Sequence, residues 1–345
     1  MKSAKKDTTA RKPVRLEDVA EIAGVSISTV SRALSDSPLV SDATKQRILA
    51  IVEENNMVLR RKEEPGPQAN YRTLELIIPL PQGKEARISD AFYLDLIGGI
   101  GDAMKENDCD FLISHHSPRD FKDLEKAVHD RRAEAFIIIG QSLLHEPLNQ
   151  LARTGAPFVV WGAQLENQAY CSIGSDNKRG GYMAASHLLR LGRKKVAFIG
   201  DIEAPEVTLR YEGYCDALKE AGVPLDENLV RNAAFSFESA METIEVLMET
   251  GVKFDGVVAA ADVIAMGAIR ALMRNGLSVP GDVSVIGYDD VRISAYSTPA
   301  LTTIRQDVAR AGRRLVSKAL RLAEGEKVRS ELLPTELIVR ESCGA

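Results

Sequence analysis

Short aliphatic runs alternate with helix-length amphipathic segments from Leu74 onward. The runs include LELIIPL, AFIIIG, PFVVWG, KKVAFIG and VSVIGYDD. Runs this short and rich in Val and Ile are typical of parallel strands that are buried on both faces. The pattern predicts an α/β body of two consecutive lobes. Each lobe is a parallel sheet flanked by helices, and a cleft lies between the two lobes.

The composition fits a chain that buries a large core and does not enter a membrane. The chain has 345 residues, of which 45% are hydrophobic, yet no apolar run reaches the length of a membrane span or resembles a signal peptide. We therefore predict a cytoplasmic protein. The four cysteines are far apart and form no zinc or redox motif, so they are interpreted as idle thiols: Cys109, Cys171, Cys215 and Cys343.

Charge is distributed unevenly along the chain. The formal net charge is −5, but residues 1–62 carry +4 and the remainder carries −9. A basic head on an acidic body is the asymmetry expected when one small domain meets phosphate groups.

The basic head has a helix–turn–helix pattern. Apolar residues in Leu16–Ala23 follow helical spacing, Gly24 permits a sharp turn, and Ser26 is placed to cap a second helix over Ile27–Leu34. The second helix has an apolar side (Val30, Ala33, Leu34) and a polar, cationic side (Ser28, Ser31, Arg32). The polar side suits a major groove. Ser41 is placed to cap a third helix that closes the small core. The alternative is an ordinary three-helix bundle with a solvated polar face.

The stretch LEDVAEIAGVSISTVSRALSDSPLVSDATKQRI resembles the DNA-binding headpiece of the LacI/GalR family of transcriptional regulators. The resemblance implies that Ile27, Ser28 and Arg32 face base edges and that Ser26, Thr29 and Ser31 reach phosphates. It also implies a homodimeric repressor that binds double-stranded operator DNA and responds to a small effector. Arg15 departs from the Thr or Ser that usually caps the first helix in this family.

The body resembles the effector domain of the same family, through SDNKRGGYMAASHLLRLGRKKVAFIG, ADVIAMGAIRALMRNGLSVPGDVSVIGYDD and STPALTTIRQ. The implied fold is a two-lobed, periplasmic-binding-protein-like body. The implied effector contacts are an aromatic wall, a guanidinium, a carboxylate and two residues that line or border the cleft: Phe92, Tyr93, Arg210, Asp289, Phe235 and Asp176. The alternatives are that Phe92 and Tyr93 belong to the core and that Asp289 or Asp176 caps a helix.

The predicted domains follow from these segments. Residues 14–60 form the headpiece, 61–71 a linker, and 72–340 the effector-binding and dimerisation domain. By analogy with the family, the lobes exchange strands. Lobe one comprises residues 72–172 and 303–332, and lobe two comprises 173–302 and 333–342.

The ligand prediction favours a sugar or sugar derivative, with a nucleobase as the alternative. Ala261 stands where the family's sugar binders often have Asn, which removes one amide that binds hydroxyls, and Arg193 replaces a common His. No catalytic or dinucleotide-binding motif occurs, so neither an enzyme nor a cofactor is predicted. His115-His116 is a weak metal signal without a supporting cluster. A secreted solute-binding protein is the runner-up, but it would have a signal peptide and no headpiece.

The linker departs from the family pattern. Pro65 and Pro67 remove amide donors and Gly66 adds flexibility, so we predict no stable hinge helix over residues 63–71. The alternative is a helix over Val58 to Glu64, with Leu59 as a displaced minor-groove wedge.

Overall fold

The computed structural model describes residues 16–34, 37, 39–54, 72–79, 90–114, 117–129, 133–141 and 144–345. The chain divides into two compact units, residues 1–69 and 70–345, each described here by itself. Several predictions concern residues outside the described ranges: the predicted linker with its hinge helix, Arg15, and the pair His115-His116.

The headpiece is a three-helix unit with helices α1 (Leu16–Ala23), α2 (Ile27–Leu34) and α3 (Asp42–Glu54). Gly24 has a φ of 62°, which permits the tight turn between α1 and α2. Apolar side chains from all three helices form one small core, in which Val19, Val30 and Ile48 are fully buried. The first two helices have the bounds that the sequence periodicity predicts.

The body is built from alternating strands and helices. Its strands are β1 (Arg72–Ile77), β2 (Cys109–Ile113), β3 (Ala135–Ile139), β4 (Phe158–Trp161), β5 (Cys171–Ser175), β6 (Val196–Ile199), β7 (Val230–Arg231), β8 (Gly256–Ala259), β9 (Ser284–Asp289), β10 (Thr302–Gln306), β11 (Glu331–Leu333) and β12 (Thr335–Ile338). Its helices are α4 (Ala91–Glu106), α5 (Phe121–His129), α6 (His145–Arg153), α7 (Asn177–Arg190), α8 (Pro205–Glu220), α9 (Phe237–Glu249), α10 (Asp262–Arg274) and α11 (Val308–Ala323).

The strands form two sheets, as the alternating pattern predicts. The first has the order β11-β5-β4-β3-β1-β2, with every pair parallel, and the second has the order β12-β10-β9-β8-β6-β7, with only β12 antiparallel. Helices cover both faces, and a strand such as Ala135–Ile139 is therefore buried at every residue. Each sheet with its helices forms one lobe.

The chain crosses between the lobes three times, after Ser175, after Gln306 and after Leu333. The crossings follow the boundaries predicted at about residues 172, 302 and 332 by three, four and one residues. Strands β5 and β10 keep their partners to their last residues, since Ser175 pairs with Leu333 and Gln306 pairs with Thr335. The chain can pass from one sheet to the other only after the hydrogen-bonded pairing of its strand has ended.

Within the described ranges, no helix has the length and apolar character needed to cross a membrane. The same part of the chain contains no group of three or more His, Cys, Asp or Glu side chains arranged to hold a metal ion.

Candidate DNA-binding face and interlobe cleft

Ser26 closes the N-terminal end of α2. The Thr29 N–H donates to Ser26 Oγ at 3.2 Å, which satisfies one of the amide donors that a helix start leaves open. The Ser26 hydroxyl also lies 2.8 Å from both Ser28 Oγ and Thr29 Oγ1. Three hydroxyl groups and the positive end of the helix dipole therefore meet at one point. This is a suitable arrangement for an oxygen of a phosphate group.

The outward face of α2 is short, polar and cationic. Ile27 is 47% exposed, and Ser28, Ser31 and Arg32 are also exposed, whereas Val30 and Ala33 are buried against the other two helices. The predicted DNA-facing residues thus lie on the face that the headpiece core leaves open. Thr29, at the edge of that face, is half-buried.

The first lobe contributes aromatic rings from the start of α4. Asp90 caps this helix by accepting from the Phe92 N–H at 2.9 Å. Phe92 and Tyr93 are half-buried, and the Phe92 ring lies 6.2 Å from that of Tyr93 and 6.3 Å from that of Trp161. Both rings pack against the first lobe's core, which agrees with the core alternative, and their role as an aromatic wall for a ligand stays a prediction.

Acidic groups from both lobes act on Tyr93. Burial, together with the negative charges of Glu206, Asp90 and Asp289, raises the pKa of Tyr93 to about 12. Glu206 and Asp289 belong to the second lobe, on α8 and β9, while Tyr93 and Asp90 belong to the first. Side chains of the two lobes therefore come close enough here to act on one another electrostatically, and this region is called the cleft.

Arg210 is buried beneath the cleft. Helices α7 and α8 approach closely at Gly181 and Gly213, where any side chain would overlap the opposite backbone. This contact brings Arg210 Nε within 2.8 Å of Asn177 Oδ1, and Arg210 Nη1 within 2.5 Å of the Ala260 carbonyl oxygen.

The Arg210 guanidinium stacks 3.7 Å from the ring centroid of Tyr288. Arg210 is only 6% exposed, and its role as a guanidinium reaching into the cleft stays a prediction. It also holds α8 to α7 and to the end of β8.

Asp289 ends β9 in an unusual backbone conformation. Its φ is 120° and that of Asp290 is 57°, both in a region that L-residues rarely adopt. Asp262 holds the turn: its carboxylate is fully buried and accepts from the Val291 N–H at 2.9 Å and from the Thr303 hydroxyl. Such strained backbone persists only when the surroundings fix it, and it is common at ligand sites.

The electrostatics of this turn centre on two carboxyl groups. Burial raises the pKa of Asp289 to about 7, while the nearby Arg210 charge and the hydrogen bond from Gln306 oppose that shift. Burial also raises the pKa of Asp262 well above its usual range, and the charge of Asp289 adds to this effect. Asp289 is thus poised to accept hydrogen bonds from a ligand when ionised or to donate one when protonated.

Two of the predicted effector residues have no side-chain hydrogen bond to this group among the described residues. Asp176 is the N-cap of α7 and accepts from the Arg179 N–H at 3.0 Å, which agrees with the helix-cap alternative. Phe235 is 46% exposed in the loop before α9. Among the described residues, no ring contact or hydrogen bond joins its side chain to the other five.

Sequence reasoning missed several polar residues of the cleft. Gln306 Nε2 donates to Asp289 Oδ1 at 2.6 Å, Asn177 accepts from Arg210, and Glu206 faces Tyr93. Gln306 ends a strand and Asn177 opens a helix at a crossing between lobes. The sequence signal that could have identified such residues is a polar residue at the carboxyl end of a parallel strand, where sheets of this kind bind ligands.

Comparison with known proteins identifies the chain. The profile described as "Bacterial regulatory proteins, lacI family" matches residues 15–58, and that described as "Periplasmic binding protein-like domain" matches residues 185–343. The transcriptional regulator RegA of Clostridium saccharobutylicum is 32% identical over 338 residues, which are 95% of this chain and 98% of RegA. The chain belongs to the LacI family. It is a DNA-binding transcriptional regulator, which is a non-enzymatic role.

Solved LacI-family structures match this regulator along almost its whole length. A complex of the regulator CelR with cellobiose has a TM-score of 0.70 at 27% identity and covers 95% of this chain and 99% of CelR. A lac repressor dimer bound to operator and the anti-inducer ONPF has a TM-score of 0.70 at 26% identity, and the match covers 97% of this chain and 100% of the repressor chain.

One departure from the LacI-family sequence pattern has a structural reason here. Arg193 replaces the His that the family commonly has, and its guanidinium donates to the Pro280 carbonyl at 2.5 Å and to Ser284 Oγ at 2.9 Å. Ser284 Oγ in turn donates to the Cys343 carbonyl at 2.7 Å. Arg193 is therefore hydrogen-bonded to the turn before β9 and is linked through Ser284 to the backbone near the C-terminal end of the chain.

Proposed function

We propose that this LacI-family protein is a repressor that binds a roughly palindromic operator as a homodimer. In this proposal a small metabolite, a sugar or sugar derivative, binds between the two lobes and changes operator affinity. The observation that carries the proposal is the cleft itself. The rings of Phe92 and Tyr93 in the first lobe and the Asp289 carboxyl group of the second lobe, on which the Arg210 charge acts, support an effector site there. The headpiece of the same chain has an exposed cationic helix face.

The outward face of α2 supports the DNA-binding part of the proposal. Arg32 is exposed on the same side as Ile27 and Ser28, and a guanidinium can hold guanine O6 and N7 together. The hydroxyl cluster around Ser26 lies at the helix start, where a phosphate is favoured. In the proposed complex Arg32 reads a base, and the hydroxyls of Ser26, Thr29 and Ser31 set the register.

The chemistry of the cleft supports a sugar. Sugar rings present apolar C–H faces that pack on aromatic rings such as Phe92 and Tyr93, while their hydroxyls pair with charged hydrogen-bonding groups. Asp289 and Glu206 offer carboxylate acceptors on the opposite lobe. CelR, which is similar along nearly the whole chain, was solved with cellobiose. A nucleobase, which also stacks on aromatic rings, is the alternative ligand class.

An exposed sheet edge supports the homodimer. Strand β2 lies at the end of the first sheet, and its consecutive residues Phe111, Leu112 and Ile113 are 41%, 41% and 45% exposed. An open edge with three exposed apolar side chains is a liability in a monomer. The lac repressor structure that matches this chain is a dimer on its operator. We propose that β2 of one protomer packs against its partner.

The test combines DNA selection with a ligand screen. Full-length protein should enrich a pseudo-palindrome from random duplex DNA, and the logarithm of its affinity should fall linearly with that of salt concentration. The thermal unfolding of the purified protein should then be measured in the presence of monosaccharides, disaccharides, polyols and nucleobases. A ligand at about 100 times its dissociation constant adds roughly 2.7 kcal/mol to stability. Failure to enrich any sequence, with or without these compounds, would contradict the regulator proposal.

A further inference from the structure

The first crossing between the lobes is the three-residue segment Ser175–Asn177, here called the crossing segment. Ser175 ends β5 of the first lobe, Asp176 caps α7, and Asn177 begins that helix in the second lobe. Ser175 is 2% exposed and Asn177 3%, so neither side chain is free to turn toward water. Ser175 is connected through Gln306 to Asp289, and Asn177 is hydrogen-bonded to Arg210.

The first connection runs through Gln306. Ser175 Oγ donates to Gln306 Oε1 at 2.6 Å, and Gln306 Nε2 donates to Asp289 Oδ1 at 2.6 Å. Because the serine hydroxyl donates to the amide oxygen, the amide NH₂ must point toward the carboxylate. Gln306 is 5% exposed and is the last residue before the second crossing between the lobes. One amide therefore links Asp289 to two of the three crossings.

The second connection runs through Asn177. Its Nδ2 donates to the Ser175 carbonyl at 3.1 Å, and its Oδ1 accepts from Arg210 Nε at 2.8 Å. Arg210 and Asp289 attract each other electrostatically. The crossing segment is thus hydrogen-bonded, through two separate side chains, to the cationic and the anionic group of the same site.

We infer that Gln306 is a positioning residue that couples the state of Asp289 to the crossing segment, and so to the angle between the lobes. This inference rests on the proposed function, in which Asp289 is the effector carboxylate. A ligand group that engages Asp289 competes with the Gln306 amide or polarises it, and the amide's other hydrogen bond is to Ser175. Domain rotations in proteins of this kind are absorbed by a few residues at such crossings.

Ionisation of Asp289 offers a way to change its state without a ligand. The groups that face it are Arg210 on α8, Asp262 on α10, its neighbours Tyr288 and Asp290, and Asp90 and Tyr93 from the first lobe. Burial raises the pKa of Asp289 to about 7, and the Gln306 hydrogen bond lowers it. A carboxyl whose folded-state pKa is raised stabilises the fold below its ordinary pKa, and this contribution is lost as the pH rises to about 7.

The first measurement is urea unfolding of the full-length chain between about pH 5 and about pH 8. Gln306→Leu removes the amide donor, so the pH at which stability levels off should rise by about one pH unit relative to wild type. In an Asp289→Asn background the same substitution should leave the pH profile unchanged, which isolates the pair. A profile of Gln306→Leu that superimposes on wild type would overturn the inference.

The second measurement is hydrogen exchange of a peptide covering residues 171–177, corrected for the intrinsic pH dependence of exchange. In wild type its protection should change over the pH range in which Asp289 titrates, whereas in Gln306→Leu it should not. Ser175→Ala, a smaller change, should also uncouple the peptide while leaving the Asp289 titration near wild type. Ser175→Ala therefore replaces Gln306→Leu as the test variant if Gln306→Leu does not fold.

The matched control is Thr335→Val. Thr335 Oγ1 donates to the Asp176 carbonyl at 3.5 Å, so it contacts the crossing segment without contacting Asp289. This variant should keep the pH-dependent protection. If the protection of residues 171–177 follows the same pH course in Gln306→Leu as in wild type, then Gln306 has only a structural role. No DNA or effector enters these experiments, so a failed ligand screen would count against the proposed function alone.

Discussion

Arg32 and Arg210 show how differently one residue type is used in this regulator. Arg32 is exposed on a helix face that no part of the headpiece core covers. Arg210 is buried, stacks on Tyr288, and donates to Asn177 and to a main-chain carbonyl. We expect Arg32 to contribute mainly to DNA binding, and Arg210 to contribute to the stability of the fold as well as to ligand binding. Each role leads to a separate prediction.

Arg32→Ala should weaken binding to the selected operator by about 1–3 kcal/mol and relax base preference at one position in each half-site. The loss should be much smaller on scrambled duplex DNA, because a base contact carries sequence information and a phosphate contact does not. Arg47→Ala, which removes an exposed arginine of α3, is the matched control. Binding isotherms on both DNAs decide the matter: equal losses would make Arg32 a phosphate contact.

Arg210→Met should lower the free energy of unfolding by about 2–4 kcal/mol, because Asn177 Oδ1 and the Ala260 carbonyl oxygen lose their buried donor. Arg179→Met is the control. Its guanidinium lies 5.1 Å from the Tyr182 ring on an exposed face, so its loss should cost about 0.5 kcal/mol or less. Urea unfolding measures both. If both variants cost the same, Arg210 is a ligand contact without a structural role.

Among the described residues, helix α2 in the headpiece and strand β2 in the body each present an exposed face within their own unit. The outer face of α2 is polar and suits a groove in DNA, while β2 presents apolar side chains and an open edge. The two elements therefore point to different partners, nucleic acid for α2 and a second copy of the chain for β2. The second assignment can be tested without knowing the operator.

Leu112→Lys should raise the dimer dissociation constant by at least about tenfold, because a charge placed on an apolar edge strand must be desolvated when the edge is covered. Val246→Lys is the control, since Val246 is 49% exposed on α9 of the second lobe. Sedimentation at several protein concentrations measures the constant. A dimer unaffected by Leu112→Lys would place the interface elsewhere.

At the scale of the whole molecule, the linker sequence departs from the family pattern, and its residues lie outside the described ranges. A Pro-Gly-Pro centre at residues 65–67 cannot supply a continuous helical hydrogen-bond ladder, so we predict no stable hinge helix there. If none enters the minor groove, operator affinity is expected to depend on the contacts of the two headpieces and on their spacing. The predicted role of the linker is then that of a tether.

Replacing both Pro65 and Pro67 with Ala should therefore change operator affinity by no more than about twofold, or about 0.4 kcal/mol. The same variant should leave the bend of the bound operator unchanged, as measured by circular-permutation gel shift. A large gain in affinity accompanied by a sharper bend would show that a helix forms once the prolines are removed, and that the wild-type linker prevents it.

The sequence by itself determined the elements and the architecture. Buried Val/Ile runs separated by helices specify parallel sheets in two lobes, and the spacing in Leu16–Leu34 specifies the helices of the headpiece and its open face. These features follow from local periodicity, which each segment carries in its own residues. The family resemblance gave Tyr93, Arg210 and Asp289, which the fold brings to one cleft.

Only the tertiary structure decided how these residues are used. Gln306 contacts Ser175 and Asp289, which are far from it in sequence, and Arg210 is held by Asn177 and Ala260 in the same way. The raised pKa of Asp289 likewise depends on burial between segments that meet only in the folded chain. Hydrogen bonds and desolvation depend on distances in space, and the periodicity of a single segment carries no information about those distances.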